Sequence, residues 1–218
     1  MSRIDRILVL DTETAGLVSG VVEIAWYEID DQLKILDRVR ALINPEQPIS
    51  AIASGVHGLV DDDVKDCPTL REFMAGKFAA ETVLLIGHNI SFDIRFVKAE
   101  FGDVDGLCTL KLARLVYPDA PDHKLQTLMH HLKLTRAGNH NALDDVNTSY
   151  ELLMRMGEEL NMSLQDLYAL AKRPTLVAKM PFGKHKGTKL SSLLPAYVKW
   201  LLTLDNLDDN LRYSLEQL

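Results

Sequence analysis

The sequence predicts an α/β domain with a mixed sheet flanked by helices, followed by a small C-terminal mini-domain. Three observations predict it. Three strand-like stretches precede any long helical pattern, so the sheet begins as an antiparallel meander. The wholly apolar run Thr82-Val-Leu-Leu-Ile86 then reads as a buried parallel strand, and helical periodicities alternate with short strands after it. Past Lys172 the charge balance inverts, which places a boundary near Lys172-Arg173-Pro174-Thr175 and divides the chain into residues 1–171 and 172–218.

The first strand is Arg6 to Asp11, continuing through Thr12-Glu13-Thr14-Ala15-Gly16; the second is Val21 to Asp30 and the third Leu33 to Ile43, joined through the turn Asp30-Asp31-Gln32. Asn44-Pro45 and Gln47-Pro48 break the pattern, and Ser50 can cap a short helix through Val56 that His57-Gly58 ends. Thr69 caps a helix expected to run to about Ala80. After the buried strand, Phe92, Phe96 and Val97 lie at helical spacing, Leu107 to Thr109 is a brief strand, and helices follow to Leu115 and from Lys124 to Leu132. His140 opens the longest helical pattern, to about Leu160, and Ser163 caps one more through Ala171.

Composition bounds the class. Hydrophobic residues at 47% and charged residues at 25% are those of a soluble globular protein. No run approaches the roughly 18 apolar residues of a membrane span, and Met1-Ser-Arg-Ile-Asp5 lacks the apolar region of a signal peptide, so no membrane partner and a cytoplasmic location are expected. Cys67 and Cys108 have no metal-ligand spacing and read as reduced thiols. Residues 172–218 carry eight Lys/Arg and four Asp/Glu, a net +4, which leaves −11 of the whole-chain −7 on residues 1–171. An acidic body able to hold cations, joined to a basic tail, is compatible with a nucleic-acid substrate.

The chemistry-bearing residues begin on the first strand. Asp11 and Glu13 are two apart, so they point to one face. An apolar strand entering a sheet centre ends in two like charges, a conflict that a divalent cation with hard-oxygen preference removes; a solvated turn is the other reading. Asp93, just past the buried strand, reads as a helix N-terminal acid or as a third carboxylate where open α/β sheets place their sites. Of the next two acids, Asp144 shares a helical row with Thr148, Glu151, Arg155 and Glu158, expected to be in water, whereas Asp145 shares its row with Ala142, Ser149, Leu152 and Met156, facing the core. An inward acid needs a partner, so Asp145 is the ligand candidate. His140 alone would read as a capping or surface histidine.

Together these residues form three motifs: Asp11-x-Glu13-Thr14-x-Gly16, His88-Asn89-x-x-Phe92-Asp93 and His140-x-Ala142-x-x-Asp145. They resemble the motifs of the DEDDh 3′→5′ exonucleases, a family that includes polymerase proofreading subunits, over about residues 6–160. Ala15 departs from the second threonine of many members. The tail pattern Pro181-Phe-Gly-Lys-x-Lys-Gly187 with Tyr197-x-x-Trp200-Leu resembles the C-terminal segment of one exodeoxyribonuclease branch.

The resemblance implies a ribonuclease H-like fold and a metal-dependent 3′→5′ exodeoxyribonuclease acting on single-stranded DNA or DNA 3′ ends in repair or recombination, beside a repair helicase or mismatch-repair factors. Asp11, Glu13, Asp93 and Asp145 would hold two Mg2+ or Mn2+ ions, and His140 would be the general base. Thr14, Leu17, His57 and Asn89 would meet the terminal nucleotide, although Leu17 reads equally well as core. A 3′→5′ exoribonuclease of the same fold, or a non-catalytic nucleic-acid-binding module, are the competing readings. In the tail, Lys184 and Lys186 read as phosphate contacts or as solvated charges of a hairpin turn. Tyr197, Trp200, Leu201 and Leu204 read as the core of the mini-domain rather than a base-stacking surface.

Overall fold

A computed structural model describes residues 4–78, 81–135, 141–174, 176–204 and 207–218. The chain divides into two compact units, residues 1–171 and 172–218.

In the first unit, strands β1 (Arg6–Thr14), β2 (Val21–Ile29) and β3 (Ile35–Leu42) form the expected meander. Helix α1 (Ala51–His57) follows, with Ser50 Oγ accepting from Ala53 N and Gly58 closing it in the left-handed conformation. Two short helices, α2 (Asp61–Val64) and α3 (Leu70–Met74), precede strand β4 (Thr82–Gly87) and helix α4 (Ser91–Val97). Strand β5 (Asp103–Cys108) leads directly into α5 (Thr109–Val116), then α6 (Leu125–His131), α7 (Ala142–Leu160) and α8 (Leu164–Lys172).

The sheet order is β3-β2-β1-β4-β5. The pairs β1–β2 and β2–β3 are antiparallel, and β1–β4 and β4–β5 are parallel. β1 is therefore central, and its alternation serves two cores. Val9 packs with Leu84, Ile86 and the α7 residues Val146, Leu152, Leu153 and Met156. Leu8 and Leu10 pack on the opposite face with Met74, Phe78, Ile90, Val97 and Phe101. An apolar run without a polar alternate is what a strand covered on both faces requires.

Some expected boundaries shift. The helix that Thr69 caps ends at Met74: Ala75 leaves the helical region, Gly76 takes φ 73°, and the chain turns so that Phe78 enters the core against Trp26 and Phe101. β5 begins at Asp103, well before Leu107, because the Tyr168 hydroxyl hydrogen-bonds to Asp105 and makes an acid tolerable in the strand. The triple-acid turn of α2 was not anticipated; Asp61 Oδ1 accepts from Ile49 N and Asp63 Oδ2 from Val60 N. Asn141 caps α7, its Oδ1 accepting from Asp144 N at 3.0 Å. The expected opening of that helix at His140 lies outside the described residues. Thr148, expected in water, is fully buried, because its hydroxyl donates to the Asp144 carbonyl and needs no solvent.

The turn after β4 sets the geometry of the site. The β1–β4 pairing ends at Val9–Ile86, so β1 runs on past its parallel neighbour while still paired with β2 as far as Thr14. Gly87 allows the departing chain to pass close by: a Cβ there would sit 2.6 Å from the Leu10 carbonyl oxygen and 2.8 Å from Ile90 Cδ1. Gly87→Ala is expected to destabilise the fold by about 1–3 kcal/mol, the usual cost of overpacking, read as a lower urea midpoint at unchanged slope.

In the second unit, backbone bonds between Met180 and Thr188 and from Gly187 to Met180 close a small hairpin. Helices α9 (Pro195–Leu202) and α10 (Asp209–Glu216) follow. Met180, Leu190, Leu201, Leu207, Leu211 and Leu215 form a separate core. No helix among the described residues is long and apolar enough to cross a membrane.

Candidate metal centre

Asp11 and Glu13 leave the same face of β1 just beyond the end of the β4 pairing. α7 packs across that face and brings Asp145 to them. One carboxylate oxygen from each of Asp11, Glu13 and Asp145 lies within 4.8 Å of the others, a donor set able to hold a metal ion. Carboxylate oxygens suit hard cations such as Mg2+ or Mn2+. Asp93 lies outside this trio. It is buried in the first turn of α4, and its Oδ1 accepts from Thr12 N at 3.1 Å and Thr12 Oγ1 at 2.7 Å. Thr12 thus fastens the fourth acid to the strand residue between the first two.

The electrostatics of this corner favour a cation. Burial, then the charges of Asp93, Asp145, Glu13 and Glu23, hold the Asp11 carboxyl well above the usual carboxylate range. Burial pushes Glu13 up to about 7, reinforced by Asp145, Glu23 and Asp93. Burial raises Asp93 to about 6, against the lowering effect of the Thr12 hydrogen bonds. Crowded acids hold their protons to higher pH; a divalent ion would let all of them ionise.

Three residues that sequence reasoning missed complete the support. Glu23, on β2 opposite Glu13, is 1% exposed. Its Oε2 accepts from Ala142 N at 3.0 Å and its other oxygen pairs with Arg40 of β3, so one buried acid fixes the start of α7 to the sheet. Gln126 of α6 donates to Asp145 Oδ1 at 2.9 Å and orients that carboxylate. The third is Thr12. The signal for Glu23 was present in the sequence, since an acid inside a strand as apolar as Val21–Ile29 must have partners.

The remaining expected residues divide. His57, at the end of α1, accepts from Leu59 N through Nδ1 at 3.1 Å, which leaves the proton of the neutral ring on Nε2. That nitrogen is buried without a hydrogen bond of good geometry. The nearby Thr14 backbone and Glu23 favour the charged ring, yet burial outweighs them and lowers the His57 pKa. Leu17 is 80% exposed, which overturns the core reading, and Val18 beside it is more exposed still. Ser50 N donates to the Ala15 carbonyl at 2.9 Å and ties their loop to α1, where Ile52 and Val56 are also exposed. Asn89 is exposed in the left-handed conformation, φ 69°. Asp144, expected to be solvated, is half-buried and held by Asn141 Nδ2 at 2.6 Å. His140 lies outside the described residues. Lys184 and Lys186 are exposed on the hairpin of the second unit.

Comparison with known proteins identifies the family and the fold. The model of an exonuclease family (RNase_T) matches residues 8–153. Exodeoxyribonuclease 10 of Escherichia coli K12 is 31% identical over 217 residues, covering 95% of this chain and 96% of that protein. Among solved structures, exonuclease X in complex with 5′-overhanging duplex DNA matches with a TM-score of 0.63 at 28% identity, covering 76% of this chain and 99% of that one. Exonuclease I of E. coli in complex with a 5cy-dT13 oligonucleotide matches with a TM-score of 0.62 at 14% identity, over 77% of this chain and 43% of that one, a likeness of fold alone. The mixed five-stranded sheet is thus the ribonuclease H-like exonuclease fold anticipated from the motifs.

Two outcomes follow from the site. Unfolded acids ionise near pH 4, whereas folded Glu13 holds its proton to about 7 and Asp93 to about 6. The unfolded state sheds its protons first as pH rises, so without metal these groups destabilise the fold progressively over that interval. Mn2+ is therefore expected to raise the melting temperature more at about pH 8 than at about pH 5.5, measured against EDTA. Glu23→Ala leaves the Ala142 N–H and Arg40 without their acceptor. It is expected to cost about 1–3 kcal/mol in urea unfolding, with a weaker Mn2+ increment than the parent chain.

Proposed function

The chain belongs to the exonuclease family, and we propose that it is a metal-dependent 3′→5′ exodeoxyribonuclease that releases nucleoside 5′-monophosphates from DNA 3′ ends. The observation that carries this reading is the convergence of Asp11, Glu13 and Asp145 at the end of the central strand. DNA repair or recombination is the process such an activity serves.

Asp11, Glu13 and Asp145, with Asp93 alongside, would hold two Mg2+ or Mn2+ ions. Bound there, such ions stabilise charge on the attacking and leaving oxygens of an in-line phosphoryl displacement. The protein's own groups prepare that chemistry. Thr12 fixes the Asp93 carboxylate through its N–H and its hydroxyl, and Gln126 fixes Asp145. Glu23 anchors Ala142, two residues after His140 and three before Asp145, to the neighbouring strand. His140 would take the proton of the attacking water, a role suited to a group titrating near working pH. Water oxygen bonds to phosphorus as the P–O3′ bond breaks, so the phosphate departs on the 5′ carbon of the released nucleotide.

The substrate contacts follow from exposure and hydrogen-bonding capacity. Leu17, an apolar side chain held in water beside β1, would stack on the terminal base. His57, whose buried Nε2 lies near the Thr14 backbone, would flank the terminal nucleotide from the end of α1. Thr14 and Asn89 would flank the same nucleotide, and Lys184 and Lys186 would hold phosphates.

The test is a time course on 5′-labelled single-stranded DNA and RNA of one sequence, with Mg2+, Mn2+ or EDTA. A metal-dependent ladder shortening from the 3′ end of DNA is expected. Asp11→Asn should slow it by at least about 10²–10³-fold, the scale of losing one charge-stabilising group. A ladder on RNA alone would assign the same chemistry to the other polymer, and nucleic-acid binding without cleavage of either would favour a non-catalytic module.

A further inference from the structure

Of the four residues expected in the core of the second unit, Leu201 is buried and Tyr197 and Leu204 pack against that core, but Trp200 departs from the expectation. Leu201 is fully buried, but Trp200, one position earlier on α9, is 53% exposed. Trp200 stacks on Tyr197 one turn before it, with ring centroids 5.4 Å apart and planes 26° from parallel. His185 also meets Tyr197, its ring centroid 4.6 Å away and its plane tilted by 55°. Three rings from two separate segments therefore cluster around Tyr197.

Positive charge lies beside these rings. His185 ends a short turn, Gly183–His185; Gly183, which opens it, and Gly187, two residues beyond it, have φ of 67° and 83°. This tight reversal projects Lys184 and Lys186 into solvent, and Lys184 Nζ lies 5.5 Å from the Tyr197 ring centroid. Lys199 is exposed on α9 next to Trp200. Between residues 172 and 204 there are seven Lys/Arg and no Asp or Glu. Packing accounts for Tyr197, which lies against the core of Met180, Leu190, Leu201, Leu207, Leu211 and Leu215, but not for Trp200, which stands outside it. An acidic peptide would satisfy the lysines without using the rings. A strand with unpaired bases uses both, its phosphates meeting the cations and its bases the ring faces.

We propose that Trp200, backed by Tyr197 and His185 and with Lys184 and Lys186 close by, forms a stacking platform for the unpaired bases of single-stranded nucleic acid. The site goes beyond the hydrolytic reading of the acid cluster and gives the basic unit a binding function of its own. Its contacts are to base faces and phosphates, so it holds strands without reading their sequence.

The test uses the full chain in EDTA with a labelled dT oligomer of about a dozen nucleotides, followed by fluorescence anisotropy over a salt series. Trp200→Ala is expected to weaken binding about 5- to 150-fold, the range for one lost base–aromatic stack, with the salt dependence unchanged. The double variant Lys184→Ala/Lys186→Ala should instead lower the log–log salt slope by roughly 1.4, two single-strand phosphates' worth. Trp200→Phe keeps a ring and should stay within a few-fold of the parent. Trp26 is buried in the first unit, so quenching of the tryptophan emission by dT should be lost in Trp200→Phe. Parental affinity in Trp200→Ala would overturn the proposal and leave the face to a protein partner. A Trp200→Phe variant as weak as Trp200→Ala would also overturn it, since a ring is retained. Cleavage of a trinucleotide by Trp200→Ala at the parental rate separates the two readings: loss of hydrolysis in every form, with binding as described, would count against the nuclease assignment alone.

Discussion

Like charges crowd the carboxyl end of β1, and the first unit is arranged so that they can be held there. Asp11, Glu13, Asp93, Asp145 and Glu23 all lie close enough to raise one another or the acid at the centre. Without a counter-charge such a group keeps protons at neutral pH and works against folding. Three of the five acids are neutralised or held by the protein itself: Glu23 by Arg40 and Ala142 N, Asp93 by Thr12, and Asp145 by Gln126. Asp11, Glu13 and Asp145 face one another with carboxylate oxygens at ligand spacing. Glu23 and Asp93 thus serve to tie elements together, while the trio converges where a cation would sit.

The sheet supplies the geometry. Pairing in parallel on one side and antiparallel on the other lets β1 outrun β4 while β2 still supports it. That overhang places Asp11 and Glu13 beyond a core that is sealed on both faces. The missing side chain at Gly87 lets α4 start immediately beside Leu10, which is how Asp93 comes within reach of Thr12. Rigidity at the site thus derives from the packed strand below it, and substrate-facing groups such as Leu17 are carried by the loop above.

The two units solve different electrostatic problems. The acidic first unit concentrates negative charge where a cation can enter; the basic second unit builds a small leucine-rich core and leaves lysines and Trp200 outside it. Seven Lys/Arg without an acid over one stretch repel one another, which is tolerable in water at high dielectric. The aromatic residues spaced among them give that surface more than charge. A polyanion with exposed bases complements both properties.

Much of this was legible in the chain. The apolar run ahead of Asp11, the period-two placement of Glu13 and the helical row of Asp145 depend on local geometry alone. They identified the central strand and three acids that converge on it. The strand order's antiparallel half was equally readable, because short turns join neighbours. The position of Asp93 off the trio was decided by tertiary contact, since only folding brings Thr12 from one strand against a helix 81 residues away. Glu23 and Gln126 gained their roles in the same way, through contacts 119 and 19 residues apart. Trp200 shows the converse: helical spacing placed it with Leu201 and Leu204, but periodicity cannot say how much core a 47-residue unit has room to close. Sequence determines which residues share a face, because that follows from backbone repeat; which face is buried, and which charges meet across it, follows from packing the elements together.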